Sequence, residues 1–485
     1  VARLVRALVV KSLLNLSLRE LEQAIGWNLL VKWFVGYAVF EAGPDHTTLE
    51  RFEQWVERHQ ARTFFDQVLA QIDRFFPEDR GKAQMGDTYA MRANAAPESL
   101  IRLIRHTCQR LLARLGEIDA ESLASVESQL DRAALFGVTD ETKEYRLDKI
   151  QRQQRLQATV IAALQCQASV LDWLAGQCDL GDSHRQGLER WLEILDKILA
   201  DELRISSDEE EITAVQELPK GKKGSYRITS ATDPDATYRV HGEAIDFGYN
   251  VNVAATDTFI REIRADTGCQ PDAAGIADLL QAQQAHHDLR PEKLIYDKAA
   301  GTGKWHAEVA KATDEQTQLV APLVAYEQRS KRFGPDNFTL SQDGQSLTCP
   351  NGQTSTIAYH YKSSQGRVFR FYAKQCAGCP LTEACRGAQA QPGRMRQVFI
   401  SDHRSTLARA RTYAQTPAFL EDLRQRATIE RLIANLVRYH GARHARRRGR
   451  SWCDYQAKMS AMAFNIRQWL RQLERRRGLA EGSPA

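Results

Sequence analysis

The sequence predicts a mixed α/β protein built from several modules, and three observations carry that expectation. Most of the chain before residue 220 repeats apolar residues at helical spacing. From Tyr226 the period switches to two: Tyr249, Val251 and Val253 alternate with Asn250 and Asn252, as a half-buried strand requires. Lys293–Tyr296 is then a short apolar strand ending on Asp297, set between helical stretches. Strand, helix and strand with an acid at a strand terminus is the arrangement in which ligands gather at carboxyl ends. At 485 residues the chain is also too long for one simple core.

Residues 1–75 read as all helix. Val1–Leu14 interleaves Arg3, Arg6 and Lys11 with Leu and Val, an amphipathic helix with no small-residue cleavage site. The chain does not begin with Met, so a little of the N-terminus is expected to be missing. Ser17-Leu-Arg-Glu20 is a capping box ahead of Leu21 and Ile25. A short helix over Leu29–Val35 follows. After the Ala42-Gly-Pro-Asp45 turn, Thr47 and Thr48 can cap a helix carrying Leu49, Phe52 and Val56. Short helices with tight turns suit a helix-turn-helix DNA binder, and suit a small helical bundle equally.

Lys82–Asn94 reads as a strand that carries Asp87 out to its end. Aspartate is disfavoured inside strands, so one placed there usually has a ligand or turn to serve. Residues 98–225 are expected to be a helical insertion, with amphipathic runs at Leu100–Leu115, Ile150–Leu174 and Leu188–Leu203. Asp208–Glu211 and Lys220–Gly224 read as a charged, flexible junction. Phe259–Arg264 is a strand, Asp272–His286 and Gly303–Thr313 are helices, and Gln318–Val324 is a further strand. Ala300-Gly-Thr-Gly-Lys304 lacks the upstream glycine and the Ser/Thr of a phosphate loop, with Trp305 in the latter place, and is rejected as one. Asp257, just after a strand, competes with Asp297 as a functional acid and ranks below it.

Residues 336–399 hold Cys349, a Cys-x2-Cys pair at Cys376 and Cys379, and Cys385. Such a set can close a tetrahedral zinc site or consist of free structural thiols. The other cysteines read as isolated. In Leu423–Arg450, Ile429, Leu432, Ile433, Leu436 and Val437 form one apolar helix face. Glu430 lies beside that face, one turn after Arg426 and two before Arg438. Arg443, Arg446, Arg447, Arg448 and Arg450 follow closely. A carboxylate on a buried helix beside an arginine run suggests a metal-binding acid aimed at a polyphosphate; the plainer alternative is a surface glutamate paired with arginine.

The net charge of +5 is modest, but from Ser401 to Ala485 there are 18 Lys/Arg against 7 Asp/Glu. That local excess points to nucleic acid or another acidic partner. Nine cysteines, an odd number without a secretory signal, suit a reducing cytoplasm. No apolar run approaches the length of a membrane span, and no membrane partner is expected.

These pieces resemble the DDE transposases of bacterial insertion sequences, in the branch with a helical insertion and a cysteine cluster ahead of the glutamate helix. Asp87-Thr-Tyr-Ala-Met-Arg-Ala-Asn-Ala95 is similar to the first-aspartate strand, without the usual glycine between Asp and Thr. Asp233-Pro-Asp-Ala236 and Gly248-Tyr-Asn-Val-Asn-Val253 resemble the paired strands after it. Leu294-Ile-Tyr-Asp297 is similar to the second-aspartate strand, with Ala299-Ala300 where Gly-Tyr is common. Arg426-x3-Glu430 resembles the centre of the Tyr-x2-Arg-x3-Glu-x6-Lys signature, whose Tyr and Lys positions are Leu423 and Val437 here. The cysteine cluster and Arg446-Arg-Arg-Gly449 are also typical.

The resemblance implies an RNase H-like catalytic core over 80–97, 226–335 and 400–475, preceded by the helical DNA-binding module. It implies Asp87, Asp297 and Glu430 as catalytic acids holding two Mg²⁺ or Mn²⁺ ions, one between Asp87 and Asp297 and one between Asp87 and Glu430. Arg426, Arg438, Arg443, Arg446, Arg447, Arg448 and Arg450 would bind DNA phosphates, making binding salt-sensitive. The substrates would be the element's terminal repeats and target DNA, handled by a homodimer in a bacterial cytoplasm, in association with the nucleoid. A nuclease of the same fold without strand transfer, and a DNA-binding relic without catalysis, are the rival classes.

Overall fold

The computed structural model describes residues 1–208, 211–324, 332–362, 365–387 and 394–481. Its centre is a mixed sheet of β1 (Gln84–Arg92), β2 (Thr237–His241), β3 (Ala244–Ala255), β4 (Ile260–Thr267), β5 (Lys293–Ile295) and β6 (Gln318–Val320). The order is β2-β3-β1-β5-β6, with β4 also pairing with β3. Pairing is antiparallel between β4, β3 and β1, and parallel between β1, β5 and β6. β1 is therefore the hinge of the topology, where antiparallel pairing gives way to parallel pairing.

One face of the sheet is covered by the Ala427–Tyr439 helix and the long Arg450–Glu481 helix; Ile276–His287 packs against β3 and β4 as well. The main core joins Tyr89, Met91, Val251 and Val253 to Ile429, Leu432 and Leu436 and to Met462 of the last helix. The alternation seen in the sequence explains it, since odd-numbered residues of β1 and β3 share a face.

The first five helices span Ala2–Leu13, Leu18–Trp27, Leu29–Val35, His46–Gln60 and Thr63–Phe75. The Ser17–Glu20 capping box is present, while Asp45, rather than Thr47 or Thr48, caps the fourth helix. Leu8, Val56, Phe65, Leu69 and Ile72 belong to the main core, whereas Leu21, Ile25, Val31 and Leu49 form a smaller cluster of their own.

Between β1 and β2 lies a helical block with a separate core from Leu100–Gly116, Lys149–Ala175 and Asp182–Glu202. Lys149–Ala175 reaches the length and apolarity of a membrane span, against the expectation that no apolar run approaches that length. Its Leu156, Val160, Ala163, Cys166 and Val170 are buried in the block's core. Two further differences appear there. Leu203–Asp208 and Glu211–Glu217 pair as a hairpin where a helix and a charged junction were expected; residues 209–210 lie outside the described residues. Lys223 of the second junction is held by ion pairs to Glu202 and Glu217 at 2.7 and 2.5 Å. Cys108 and Cys166, read as isolated, meet inside the block, and their contact together with burial pushes the Cys108 thiol well up.

Candidate active site

Asp87 is the fourth residue of β1, in the strand interior and not at its end. It nevertheless marks the end of parallel pairing. Met85 is in register with Ile295, the last pair of the parallel ladder, and Asp87 and Asp297 each lie two residues beyond it, with the charge of Asp297 acting on Asp87. Past Ile295 the chain leaves the ladder, and Asp297 caps a short turn by accepting a hydrogen bond from the Ala299 amide at 2.9 Å.

Asp87 faces the Glu430 helix. Its Oδ1 accepts from the Thr88 amide at 2.8 Å, and its Oδ2 accepts from Arg426 at 3.2 Å. The other arm of the same guanidinium lies 3.3 Å from Glu430 Oε1. Arg426 thus stands between the strand acid and the helix acid. Its buried Nε has no hydrogen-bond partner among the described residues. Burial pushes the Asp87 carboxyl above the usual carboxylate range; the Thr88 amide and Arg426 oppose this, while the charges of Asp297 and Asp272 add to it. The Asp87 side chain is 19% exposed and that of Glu430 60%. Glu430 therefore sits at the rim of the helix's apolar face, and its link to Asp87 runs through Arg426.

Arg426 owes its position to the joint between two helices, Pro417–Gln425 and Ala427–Tyr439. Thr416 and Pro417 start the first of these. Its buried Asp422 is anchored on Lys293, the first residue of β5, at 3.1 Å. The same strand that leads to Asp297 thus also fixes the approach of Arg426.

Asp272 is a site residue that sequence reasoning missed. Its Oδ1 accepts hydrogen bonds from Thr88 at 2.8 Å, Arg239 at 3.0 Å and Asn250 at 3.0 Å. Burial works against its ionisation, yet Arg239, Thr88 and Asn250 together hold the carboxyl below the usual range. It braces β1 at the residue next to Asp87. The sequence signal was slight: an Asp after Pro271, read as a helix start. Asp257 lies past the opposite end of β1, 58% exposed and 2.6 Å from Lys82.

The arginines after Glu430 serve different places. Arg443 donates to the Ala90 carbonyl of β1 at 3.2 Å. Arg446 reaches the Leu16 carbonyl at 2.6 Å and Asn15 at 2.5 Å. Arg447 pairs with Glu50 at 2.9 Å and lies over Trp452. Arg448 donates to the Asn94 carbonyl at 3.0 Å. Arg438 is exposed beside Tyr439, and Arg450 lines a cleft of mixed charge, with Arg62, Arg190, Arg264 and Lys458 set among Asp235, Glu262 and Asp454.

Cys349, Cys376, Cys379 and Cys385 are among the residues that line one cavity of about 30 Å³. All four are free thiols. Burial raises Cys376 and Cys385, and the other cysteines of the set push the same way, against Arg386 for Cys376 and Arg396 for Cys385. Among the described residues, no three His, Cys, Asp or Glu side chains stand grouped so as to hold a metal ion as they are. The donor types still fit: soft thiols lining one cavity suit zinc, and hard carboxylate oxygens suit Mg²⁺ or Mn²⁺.

Two family models match the chain. Residues 348–470 match one described as a transposase DDE domain, and residues 1–55 match one described as a transposase domain (DUF772). Together they support a DDE transposase, an enzyme of the polynucleotidyl transferase type that acts on DNA. No curated protein and no solved structure matches.

Proposed function

We propose that this chain cleaves DNA at the ends of a bacterial insertion sequence and transfers the freed strand to target DNA, with Asp87, Asp297 and Glu430 as its catalytic acids. One observation carries the reading. Asp87 and Asp297 each lie two residues beyond the last pair of the parallel ladder, near enough for the charge of Asp297 to act on Asp87, and the helix bearing Glu430 is tied to Asp87 through the Arg426 guanidinium. The sheet supports an RNase H-like core: four strands linked by antiparallel pairing, then two parallel ones, with the first strand between the two sets.

Asp87 and Asp297 would hold one Mg²⁺ or Mn²⁺, and Asp87 with Glu430 a second. When bound, such ions supply charge stabilisation to the attacking and leaving oxygens of an in-line phosphoryl transfer. The chain's own part is to keep Asp87 rigid. Thr88, clamped by Asp272 and Arg239, fixes the strand, and the buried Ile429 and Leu432 fix the helix against it. Arg438 and Arg450 face outward and are placed to take DNA phosphates. Arg443, Arg446, Arg447 and Arg448 would contact DNA with whatever reach their internal bonds leave them. The first helices act as the end-recognition module, zinc held by the four cysteines would stiffen the module before the glutamate helix, and two copies act on the two ends.

The test is cleavage and joining of a plasmid bearing the element's paired ends. The Glu430→Gln chain keeps shape and hydrogen-bonding reach and loses only the charge. It should fold and bind end DNA but lose cleavage by a factor on the order of 100 or more. Asp87→Ala and Asp297→Ala should do the same. Wild-type rates in the Gln variant would return Glu430 to a surface carboxylate paired with Arg426, and cleavage without joining would make the chain a nuclease of this fold.

A further inference from the structure

The second and third helices present an apolar face that nothing covers among the described residues. Val31, Lys32 and Val35 turn inward, Val31 and Val35 joining Leu21, Ile25 and Leu49. The opposite side carries Leu29, Leu30, Trp33 and Phe34, with Trp27 just before the helix and Phe40 just after it. Trp27 is 88%, Trp33 78% and Phe40 99% exposed. At about 200 Å² for each fully exposed aromatic residue, the four aromatic side chains offer roughly 600 Å² before the leucines are counted. That already meets the top of the range of about 300–600 Å² for the largest patch on a monomer. With the leucines it approaches the roughly 800 Å² per partner of a standard stable interface.

We propose that this face is where a second copy of the chain docks, resting on the reading above that two copies act together on two ends. DNA is a poor occupant. Between residues 27 and 40 the only cation is Lys32, and it is buried; Arg3 and Arg6 stand beside Gly36 at the edge, with Arg3 already paired to Glu41, so the aromatic centre itself offers a phosphate backbone no cation. A two-fold contact instead needs a patch complementary to itself. The apolar centre meets its own kind, and the rim carries both signs in the Arg3–Glu41 ion pair at 2.5 Å, with Arg3 stacked on Tyr37. Each copy can therefore present a cation to the other's anion around a dry aromatic centre, which is the usual anatomy of a strong contact.

The experiment is sedimentation equilibrium on the full chain over a wide concentration range. Wild type should dimerise. Trp33→Glu with Phe40→Glu, both at exposed positions, should keep the helical circular dichroism and raise the dissociation constant by about 100-fold or more. Glu430→Gln should stay dimeric, so a failure of the catalytic reading leaves this result standing and the reverse holds too. In a Trp33→Cys chain, a bis-maleimide should join position 33 of two copies, identified by peptide mapping; this arm does not depend on the glutamate variants folding. A wild type that is monomeric throughout, or a dimer that neither weakens in the double variant nor cross-links at position 33, overturns the proposal. So does a monomer in which the double variant loses DNA affinity, which would place DNA on this face.

Discussion

Replacing Arg426 with Ala removes the one group that touches both Asp87 and Glu430, and the structure sets the size of the effect. The Asp87 leg, 3.2 Å long, ends on a side chain only 19% exposed. A hydrogen bond to a charged, largely buried group contributes about 1.5–3 kcal/mol. The Glu430 leg, at 3.3 Å, ends on a carboxylate 60% exposed, where solvent screening leaves at most about 0.5 kcal/mol. Without divalent ions, Arg426→Ala should therefore be destabilised by about 2 kcal/mol, a fall in Tm of roughly 2–4 °C for a chain of this size. Added Mn²⁺ should then separate the variant from wild type in the other direction. In wild type a cation must displace the guanidinium from Asp87, and in the variant it need not. The Mn²⁺ concentration for half-maximal thermal stabilisation should be about tenfold or more lower in the variant. Arg426→Lys keeps the charge but cannot bridge two carboxylates, and should fall between them. Differential scanning calorimetry over a Mn²⁺ series reads both quantities. Equal stability and an equal Mn²⁺ midpoint in Arg426→Ala and wild type would mean that the guanidinium does not hold the acids, and the site as described here would be wrong.

Two other outcomes follow from different parts of the molecule. Protein purified under reducing conditions without chelators should carry about one zinc per chain, and Cys376→Ser with Cys379→Ser should abolish it in metal analysis; wild type with no zinc would make the four cysteines ordinary thiols. His306 and His440 are buried, each pushed down from 6.5 to about 4, with burial the first cause in both and Arg467 and Arg471 adding to it for His440. Between pH 6.5 and 4 the unfolded chain takes up protons that the folded one refuses, so stability should fall as pH falls through that window, by about 3 kcal/mol per histidine. Urea unfolding of His306→Asn with His440→Asn should show a flatter pH dependence there, and an unchanged slope would assign acid sensitivity to other groups.

The elements whose signal is local were legible in the sequence. Alternation marked β3, an apolar run ending on Asp297 marked β5, the capping box at Ser17 marked the second helix, and spacing alone oriented the Ala427–Tyr439 helix. What escaped depends on partners distant in sequence. Asp272 looks like an ordinary helix start until Thr88, Arg239 and Asn250, from three other strands, converge on its carboxylate. The hairpin of Leu203–Asp208 and Glu211–Glu217 hid beneath a run of charges that reads as a linker. Asp87 was expected at a strand end because aspartate is costly in a strand interior. It sits mid-strand because β1 pairs along its whole length with β3 but only through Gln84 and Met85 with β5. Its side chain therefore emerges where the parallel neighbour ends.

The arginine run shows how composition can mislead about role. Eleven excess positive charges near the C-terminal end suggest phosphate contacts, yet several of these arginines act first on the chain itself. The Arg92 amide donates to the Arg443 carbonyl and the Ala445 amide to the Arg92 carbonyl, each at 2.8 Å. The end of β1 is thereby extended by the loop that follows the Glu430 helix. Gly441, with φ of +68°, makes the turn into that loop, and a side chain there would strike Asn15 Oδ1 at 2.3 Å. Arg446 then clasps Asn15 and Leu16 between the first two helices, and Arg447 binds Glu50 of the fourth. One loop thus joins the strand of Asp87, the helix of Glu430 and the N-terminal helices. Under the proposed function, DNA held by those helices would pull on the same loop that sets the helix acid relative to the strand acid, and end recognition and the geometry of the site would share a single mechanical element.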